Sequence, residues 1–392
     1  MVTVTGTAKE REQILEQAEQ DVQAGKQRIL ITSYDLLRRD IGRYENLTFR
    51  FQIIDEAQFI KNAGTQNARA VKKIRSVTRF ALTGTPVENR LGELWSIFDY
   101  LMPGFLFSYQ RFKKDFEIPL VKEKDEEVLT SLKRLTSPFI LRRIKKDVLK
   151  DLPDKLETCI YSQMEGEQKT LYAANAQVLK KLLEEGSEEE AAGKLQILAQ
   201  LTRLRQICCD PRLYYENYKG DSAKLETCME LVESGAAGGH KILLFSQFAS
   251  MLKLIEQRLL ASGIGYYLLT GETSKKDRLH MVDSFQKDDT PVFLISLRAG
   301  GTGLNLTAAD TVIHYDPWWN IAAQNQATDR AHRIGQEKQV TVYRLITKNT
   351  IEENILTLQE AKSRLADQIM EGQPASLSGL SKKELKELFH LE

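Results

Sequence analysis

The sequence predicts an α/β protein built on two parallel sheets, with a long helical stretch inserted between them. Three observations lead there. Short apolar runs of strand length alternate with polar-faced helices over residues 1–104. The same rhythm returns from Lys241 onward. Residues 105–235, in between, carry almost no strand pattern and are rich in Lys, Glu and Leu. Runs that are apolar on both faces and separated by helices belong to parallel sheets covered on both sides.

Taken in order, "VTVTG" reads as a strand and "AKEREQILEQAEQDVQ" as a helix with a polar face. "RILITSY", "RFQIIDE" and, after a basic helix, "RFALTG" are further strands. The middle region reads as helices interrupted near Pro119, Pro138, Pro153 and Pro211, since proline cannot continue a helix. Its acidic stretch "EEGSEEEAAG" (184–193) suits a loop or a solvated helix end, and "ESGAAGGH" (233–240) marks a boundary. The second sheet is predicted from "KILLFS", "GYYLLT", "VFLISL", "TVIHYD" and "VTVYRLIT", with helical patterns between them. The tail is helical and charged, and "LSKKELKELF" offers a capping box. The expected division is 1–104, first α/β lobe; 105–235, helical protrusions and linker; 236–360, second lobe; and 361–392, a helical brace. Two lobes so joined predict a cleft between them.

Composition narrows the class. The chain has 392 residues, 42% hydrophobic and 28% charged, as in ordinary globular proteins. Its 55 basic and 54 acidic residues leave a net charge of +1, so any surface for nucleic acid must be local. Cys159, Cys208, Cys209 and Cys228 lack zinc-site spacing and suit a reducing compartment. No apolar run approaches the ~20 residues of a membrane span, and "MVTVTGTAKEREQ" has no signal-peptide pattern. The expectation is a cytoplasmic protein, nucleoid-associated if prokaryotic, monomeric and without a membrane partner.

Four features carry chemistry. The first is Asp55-Glu56 at the carboxyl end of "FQII". Phosphoanhydride hydrolysis needs one carboxylate to organise Mg²⁺ and another group to orient water, and adjacent strand-end acids can divide those tasks. A turn or helix cap explains such a pair equally well. The second is "ALTGTP", where small hydroxyl residues beside a glycine can bind a carboxylate or phosphate, or simply make a turn. The third is "SLRAGGTGLNL" (296–306), a glycine-rich loop after a strand. It lacks the terminal Lys-Ser/Thr of a phosphate cradle, and suits close approach of backbone to a ligand. The fourth, "QNQATDRAHRIGQ", spaces Gln326, Arg330 and Arg333 at i, i+4 and i+7, one face of a helix. Two arginines there suit an anion such as a γ-phosphate, or a solvated basic face.

The order of these motifs resembles that of the SWI/SNF-like, chromatin-remodelling type ATPases of helicase superfamily two. "ILITSYDLLRRD", "DEAQFIKN", "LTGTPVENRLGELWSIFDYLMPG", "LRRIKKDVLKDLPDK", "LLFSQF", "LTGETSKKDR", "AGGTGLNLTAADTVIHYDPWWN" and "QATDRAHRIGQ" match in sequence order across essentially the whole chain. The resemblance implies two RecA-like lobes and an ATP- and Mg²⁺-dependent motor that translocates along double-stranded DNA, with a DNA-bound protein complex as a remodelling target. By the same resemblance, Asp55 holds Mg²⁺ and Glu56 activates water. Thr83, Gly84 and Thr85 couple the nucleotide site to the lobe interface, joined by Gln58 as a sensor. Gly301, Thr302, Gly303 and Gln326 face the nucleotide, and Arg330 and Arg333 are arginine fingers. Thr32, Ser33, Ser246, Gln247, Arg298, the 299–307 loop and Trp319 meet DNA backbone phosphates, the contacts a sequence-indifferent motor needs. "LRRIKKDVLK" adds basic charge, as a solvated face or an interlobe brace.

The resemblance has one gap. None of the 392 residues forms a glycine-rich loop ending in Gly-Lys-Ser/Thr. "AGKQ" (24–27) has no following hydroxyl, and "GGHK" (238–241) precedes a strand. The expectation is a first lobe that is N-terminally incomplete, in a chain that is the C-terminal portion of a longer polypeptide and inactive alone; a natural short form is the alternative. Residues 1–104 are then expected to be marginal and 236–360 to fold well. The rival functions are a strand-separating helicase and, of another class, a non-catalytic DNA- or partner-binding module.

Overall fold

The computed structural model describes residues 1–84, 91–120, 125–143, 145–149, 152–185, 191–300 and 304–359. Thr85, the triplet Gly301 to Gly303 and the capping box of the tail lie outside the described residues. The chain divides into two compact units, which among the described residues are 1–138 and 139–359.

The first unit opens with β1 (Val2–Thr3) and α1 (Ala8–Gln23). A reciprocal capping box starts α1: the Thr7 amide donates to Glu10 at 2.6 Å and the Glu10 amide to the Thr7 hydroxyl. β2 (Leu30–Ile31) pairs with β1 in parallel, and α2 (Tyr34–Arg39) and α3 (Ile41–Tyr44) follow. Buried Arg11 ties α1 to the α2–α3 junction through a two-pronged bond to Asp40 at 2.6 and 2.8 Å. β3 (Thr48–Ile54), a single 3-10 turn (Ala57–Ile60), α4 (Gln66–Lys73) and β4 (Arg75–Ala81) make a parallel pair with Ile54 opposite Ala81. α5 (Leu91–Leu101) covers one face, its Tyr100 hydroxyl donating to the Gln52 carbonyl at 3.1 Å. α6 (Tyr109–Phe112) and α7 (Glu126–Thr136) complete the unit.

Leu15, Leu37, Ile54, Ile60, Val71, Ile97 and Tyr100 form the core on that face. The opposite face of β3–β4 is different. Phe51, Ile53, Phe80 and Leu82 share it by register and are between 47% and 62% exposed. Alternation along β3 and β4 thus puts an apolar row on each side of the sheet, and among the described residues only one of the two is covered.

The second unit begins with α8 (Lys145–Val148), β5 (Lys155–Ser162), α9 (Gly166–Glu185), α10 (Ala191–Cys209) and α11 (Ala223–Ala237). Then come β6 (Ile242–Ser246), α12 (Ala249–Ala261), β7 (Tyr266–Leu269), α13 (Lys275–Lys287), β8 (Val292–Ser296), α14 (Leu297–Gly300), β9 (Thr311–His314), α15 (Ile321–Thr328) and β10 (Val340–Thr347). Six parallel strands run in the order β5-β10-β9-β6-β8-β7. β6 shows why the run "ILLFS" reads apolar throughout. Ile242 and Leu244 enter the core beneath α11 and α12, whereas Leu243 and Phe245 enter the core that holds Phe285 of α13 and Ala327 of α15.

Within 105–235 the structure departs from the sequence reading at one strand. The region 105–235 is not wholly helical: "KLETCIYS" is β5, paired with β10 over all eight residues from Lys155↔Val340 to Ser162↔Thr347. It is an edge strand whose side chains are mostly exposed, so it lacks the apolar run by which its neighbours were found. α6 and α7 belong to the first unit, where Trp95 of α5 meets Tyr109 of α6 with ring centroids 5.2 Å apart.

Candidate functional site

In the first unit the site forms where β3 ends. Asp55 follows the strand and is exposed. Its backbone carbonyl accepts from the Tyr34 hydroxyl at 2.7 Å, and its Oδ1 accepts from the Glu56 amide at 2.8 Å. Burial, then the charges of Asp55 and Glu56, push the Tyr34 hydroxyl well above its ordinary pKa, so it stays a donor. Glu56 has φ 51° and ψ 54°, the left-handed region that non-glycine residues seldom adopt. This twist turns the chain out of β3 and aims the carboxylate at Gln58, whose Nε2 donates to Glu56 Oε2 at 2.6 Å.

The same Gln58 accepts from the Thr83 hydroxyl at 3.0 Å through Oε1. The backbone holds the two segments in register, with Leu82 donating to Ile54 at 2.8 Å and Ala57 donating to Leu82 at 2.9 Å. Asp55, Glu56, Gln58 and Thr83 are therefore one connected group, with Gly84 exposed beside it. Thr32 donates to the Val4 carbonyl at 3.5 Å, and Ser33 caps α2 by accepting from the Leu36 amide. An exposed strand-end carboxylate is a hard-oxygen donor of the kind Mg²⁺ takes in ones and twos alongside phosphates, and Asp55 fits that description.

In the second unit the structure revises two sequence expectations. Ser246 is fully buried, and its hydroxyl donates to Asp316 at 2.6 Å. It braces the loop after β6 and presents nothing outward; neighbouring Gln247 is half-buried, its amide donating to the same carboxylate at 3.2 Å. Gln326, Arg330 and Arg333 do not share a helical face, because α15 ends at Thr328. Asp329 starts a series of turns in which Arg330 is 7% exposed and Arg333 is exposed. The Arg330 carbonyl accepts from Leu306 at 3.0 Å, and Gln336 donates to the carbonyls of Ala309 and Ala331, so the turns are stitched to the segment after the glycine loop. Arg298 lies in α14, with its side chain outside the described set.

Several participants escaped the sequence reading. Lys145, in the basic stretch "LRRIKKDVLK", donates to Asp329 at 2.8 Å and to the His332 carbonyl, and His332 donates through Nε2 to the Pro153 carbonyl at 2.7 Å. Arg205 of α10, also unread, lies beside half-buried Trp319, which the resemblance had placed on DNA. Burial pushes the Asp316 carboxyl above its ordinary value, with the Arg205 charge opposing. These links span long sequence separations and leave no local pattern. The four cysteines are free thiols, three of them buried. Among the described residues no helix is long and apolar enough to cross a membrane.

The chain is similar to known proteins along its length. Residues 1–213 match the SNF2-related domain, and residues 223–335 match the helicase conserved C-terminal domain. The chain belongs to the SNF2-related family. Its architecture is that of a helicase-superfamily-two ATPase domain, with two α/β, parallel-sheet RecA-like lobes and interspersed helices. The putative ATP-dependent helicase/translocase YwqA of Bacillus subtilis is 43% identical over 93% of this SNF2-related chain and 40% of its own length. The ISWI chromatin-remodeling complex ATPase ISW1 of Saccharomyces cerevisiae is 35% identical over 91% of the chain and 32% of its own length. The chain thus spans 40% or less of these curated relatives. The Sulfolobus solfataricus SWI2/SNF2 ATPase core in complex with dsDNA is 35% identical, with a TM-score of 0.51, covering 100% of this chain and 86% of that one.

Proposed function

We propose that this SNF2-related chain is the catalytic-acid and arginine-bearing portion of a motor that hydrolyses ATP and translocates along double-stranded DNA. The observation that carries it is the group Asp55, Glu56, Gln58 and Thr83, in which a hydroxyl, an amide and a carboxylate are bonded in series beside a second, exposed carboxylate. Asp55 is the residue to hold Mg²⁺, which would neutralise phosphate charge. Glu56 orients the attacking water, and Gln58 reports its state to Thr83. Arg333, exposed, offers its guanidinium to a phosphate, while Arg330 anchors the turn that presents it.

In the finer reading the loop that cradles the β- and γ-phosphates comes from polypeptide outside these 392 residues. Two facts support it: the absence of Gly-Lys-Ser/Thr, and the uncovered row Phe51, Ile53, Phe80 and Leu82 on β3–β4. Gln247, Trp319, Thr32 and Ser33 are the proposed phosphate contacts on duplex DNA. That a relative is a remodelling ATPase and a similar structure holds dsDNA supports this assignment.

The deciding measurement is ATP hydrolysis by the complete gene product, with and without duplex DNA. Duplex-stimulated turnover that Glu56→Gln abolishes is expected, together with background turnover by the 392-residue chain alone. Stimulated turnover that persists in Glu56→Gln would overturn the role given to Glu56. No response to duplex would favour a non-catalytic binding module.

A further inference from the structure

One buried arginine borders both segments that the proposed function places on DNA. Arg205 projects from α10 and is 5% exposed. Its Nη2 donates to the Pro317 carbonyl and stands 3.7 Å from Asp316 Oδ2. The guanidinium carbon lies 5.6 Å from the Trp319 ring centroid and 5.8 Å from that of Phe248. Asp316 is itself the acceptor for the Ser246 hydroxyl and the Gln247 amide. The loop 246–248 and the turn 316–319 therefore meet at one Arg-Asp pair.

We infer that Arg205 is a positioning residue, which fixes the Gln247 loop and the Trp319 turn as a single platform for duplex phosphates without touching the DNA. The inference rests on the DNA reading given above. Its burial keeps Arg205 from reaching a phosphate itself. A merely space-filling role would suit an aliphatic side chain, but Asp316 is 1% exposed and needs a counter-charge there. Lysine would supply the charge alone. Only the planar fork serves a carbonyl, faces a carboxylate and lies against two rings at once. Such a device suits residues that must hold one geometry while the loop tips stay accessible.

The test uses the 392-residue chain, because duplex binding requires no turnover. Duplex affinity across salt concentrations is measured for Arg205→Met, Arg205→Lys, Trp319→Ala and the double variant Arg205→Met with Trp319→Ala. Hydrogen exchange is followed at 246–248 and 316–319. Arg205→Met is expected to bind about tenfold more weakly, the loss typical of a charge-assisted bond. Its salt dependence should stay that of the parent, because Arg205 reaches no phosphate and neither Gln247 nor Trp319 carries a charge that neutralises one. Arg205→Lys should fall between, and the double variant should bind no worse than its weaker parent, because both changes act through the same turn. A folded Arg205→Met with parental affinity, a salt slope shallower by one phosphate (which would put Arg205 itself on the DNA), or losses that simply add, would overturn the inference. Should Arg205→Met not fold, Arg205→Lys decides: faster exchange confined to the two segments supports positioning, and unchanged exchange refutes it. Absence of duplex binding by the unsubstituted chain would sink the DNA reading, and the exchange measurement would still decide whether Arg205 holds the two segments together.

Discussion

Glu56 and Thr83 are joined through one intervening side chain: Gln58 donates to Glu56 at 2.6 Å and accepts from Thr83 at 3.0 Å. An amide is suited to this place because it donates from one end and accepts at the other, so a change at either neighbour is felt by both. Replacing Gln58 by Leu breaks both bonds and leaves the backbone pairing of Ile54, Leu82 and Ala57 intact. In the complete gene product, turnover is expected to fall by roughly one to two orders of magnitude with little change in KM for ATP, the signature of an interaction made in the transition state. Equal turnover in Gln58→Leu would show that the series is decorative.

The backbone of Glu56 makes a separate prediction. A left-handed conformation costs a non-glycine residue roughly 1–2 kcal/mol, which glycine avoids. Glu56→Gly should therefore leave the first unit as stable or up to about 1 kcal/mol more stable, once glycine's larger unfolded-state entropy is deducted. Hydrolysis should be lost. Denaturant melts of Glu56→Gly and Glu56→Ala separate the effects: the alanine variant keeps the strain, and a glycine variant less stable than the alanine one would contradict it.

Local pattern carried much of this architecture into view. Strands such as "KILLFS" and "VFLISL" are apolar on both faces because two helical layers cover them, and that burial is written in the chain. β5 was missed because an edge strand with mostly exposed side chains needs no such run. The Asp55-Glu56 pair was legible as a motif, but its link to Thr83 was not, since nothing local records which amide turns toward which carboxylate. Spacing alone put Arg330 and Arg333 on one helix face; Thr328 ends the helix first. Ser246 was placed on DNA by the resemblance, whereas here it is buried and its hydroxyl donates to Asp316.

His314 gives the second unit a pH-dependent component. The imidazole is fully buried in β9, stacked on Phe245 with centroids 5.6 Å apart, and Nε2 is hydrogen-bonded to the Thr328 hydroxyl at 2.8 Å. Burial, with the Arg344 and Lys155 charges adding to it, pulls its pKa down to about 3. The unfolded chain takes up this proton near pH 6.5 and the folded one only near 3, so below pH 6.5 the unfolded state binds more protons. Stability is therefore whole above pH 6.5 and is lost progressively toward pH 3, by up to several kcal/mol. His314→Asn should flatten the pH dependence of melting between pH 6.5 and 4 relative to the parent. An identical slope in the two proteins would refute the assignment.

The two units should also differ in resistance to protease. Among the described residues the first rests on two separate two-stranded pairs and leaves Phe51, Ile53, Phe80 and Leu82 about half exposed, whereas β6, β8 and β9 of the second are buried throughout. A two-stranded pair contributes little stability by itself. Brief trypsin treatment is expected to leave a resistant fragment that begins between Phe139 and Lys155. A resistant fragment starting near Met1 would show the first unit to be as well sealed as the second.

The last prediction concerns Lys224 of α11 and Glu352, which form an ion pair with both side chains 0% exposed. Glu352 also accepts from the Thr347 amide at 2.8 Å, so the pair fastens α11 to the end of β10 and to the helical residues 351–359 that follow. The Lys224 ammonium further lies 5.7 Å from the Tyr315 ring centroid. Removing one partner strands the other charge in a dry interior, at a cost of about 3–5 kcal/mol, although the intact pair gains little over a well-packed apolar couple. Lys224→Met and Glu352→Leu should each lower the melting midpoint of the second unit sharply. The double variant should recover much of the loss, short of the bond to Thr347. Denaturant melts of the four proteins form a double-mutant cycle. Losses that add, with no recovery in the double variant, would mean that each side chain is held by its other neighbours and that the pair is incidental.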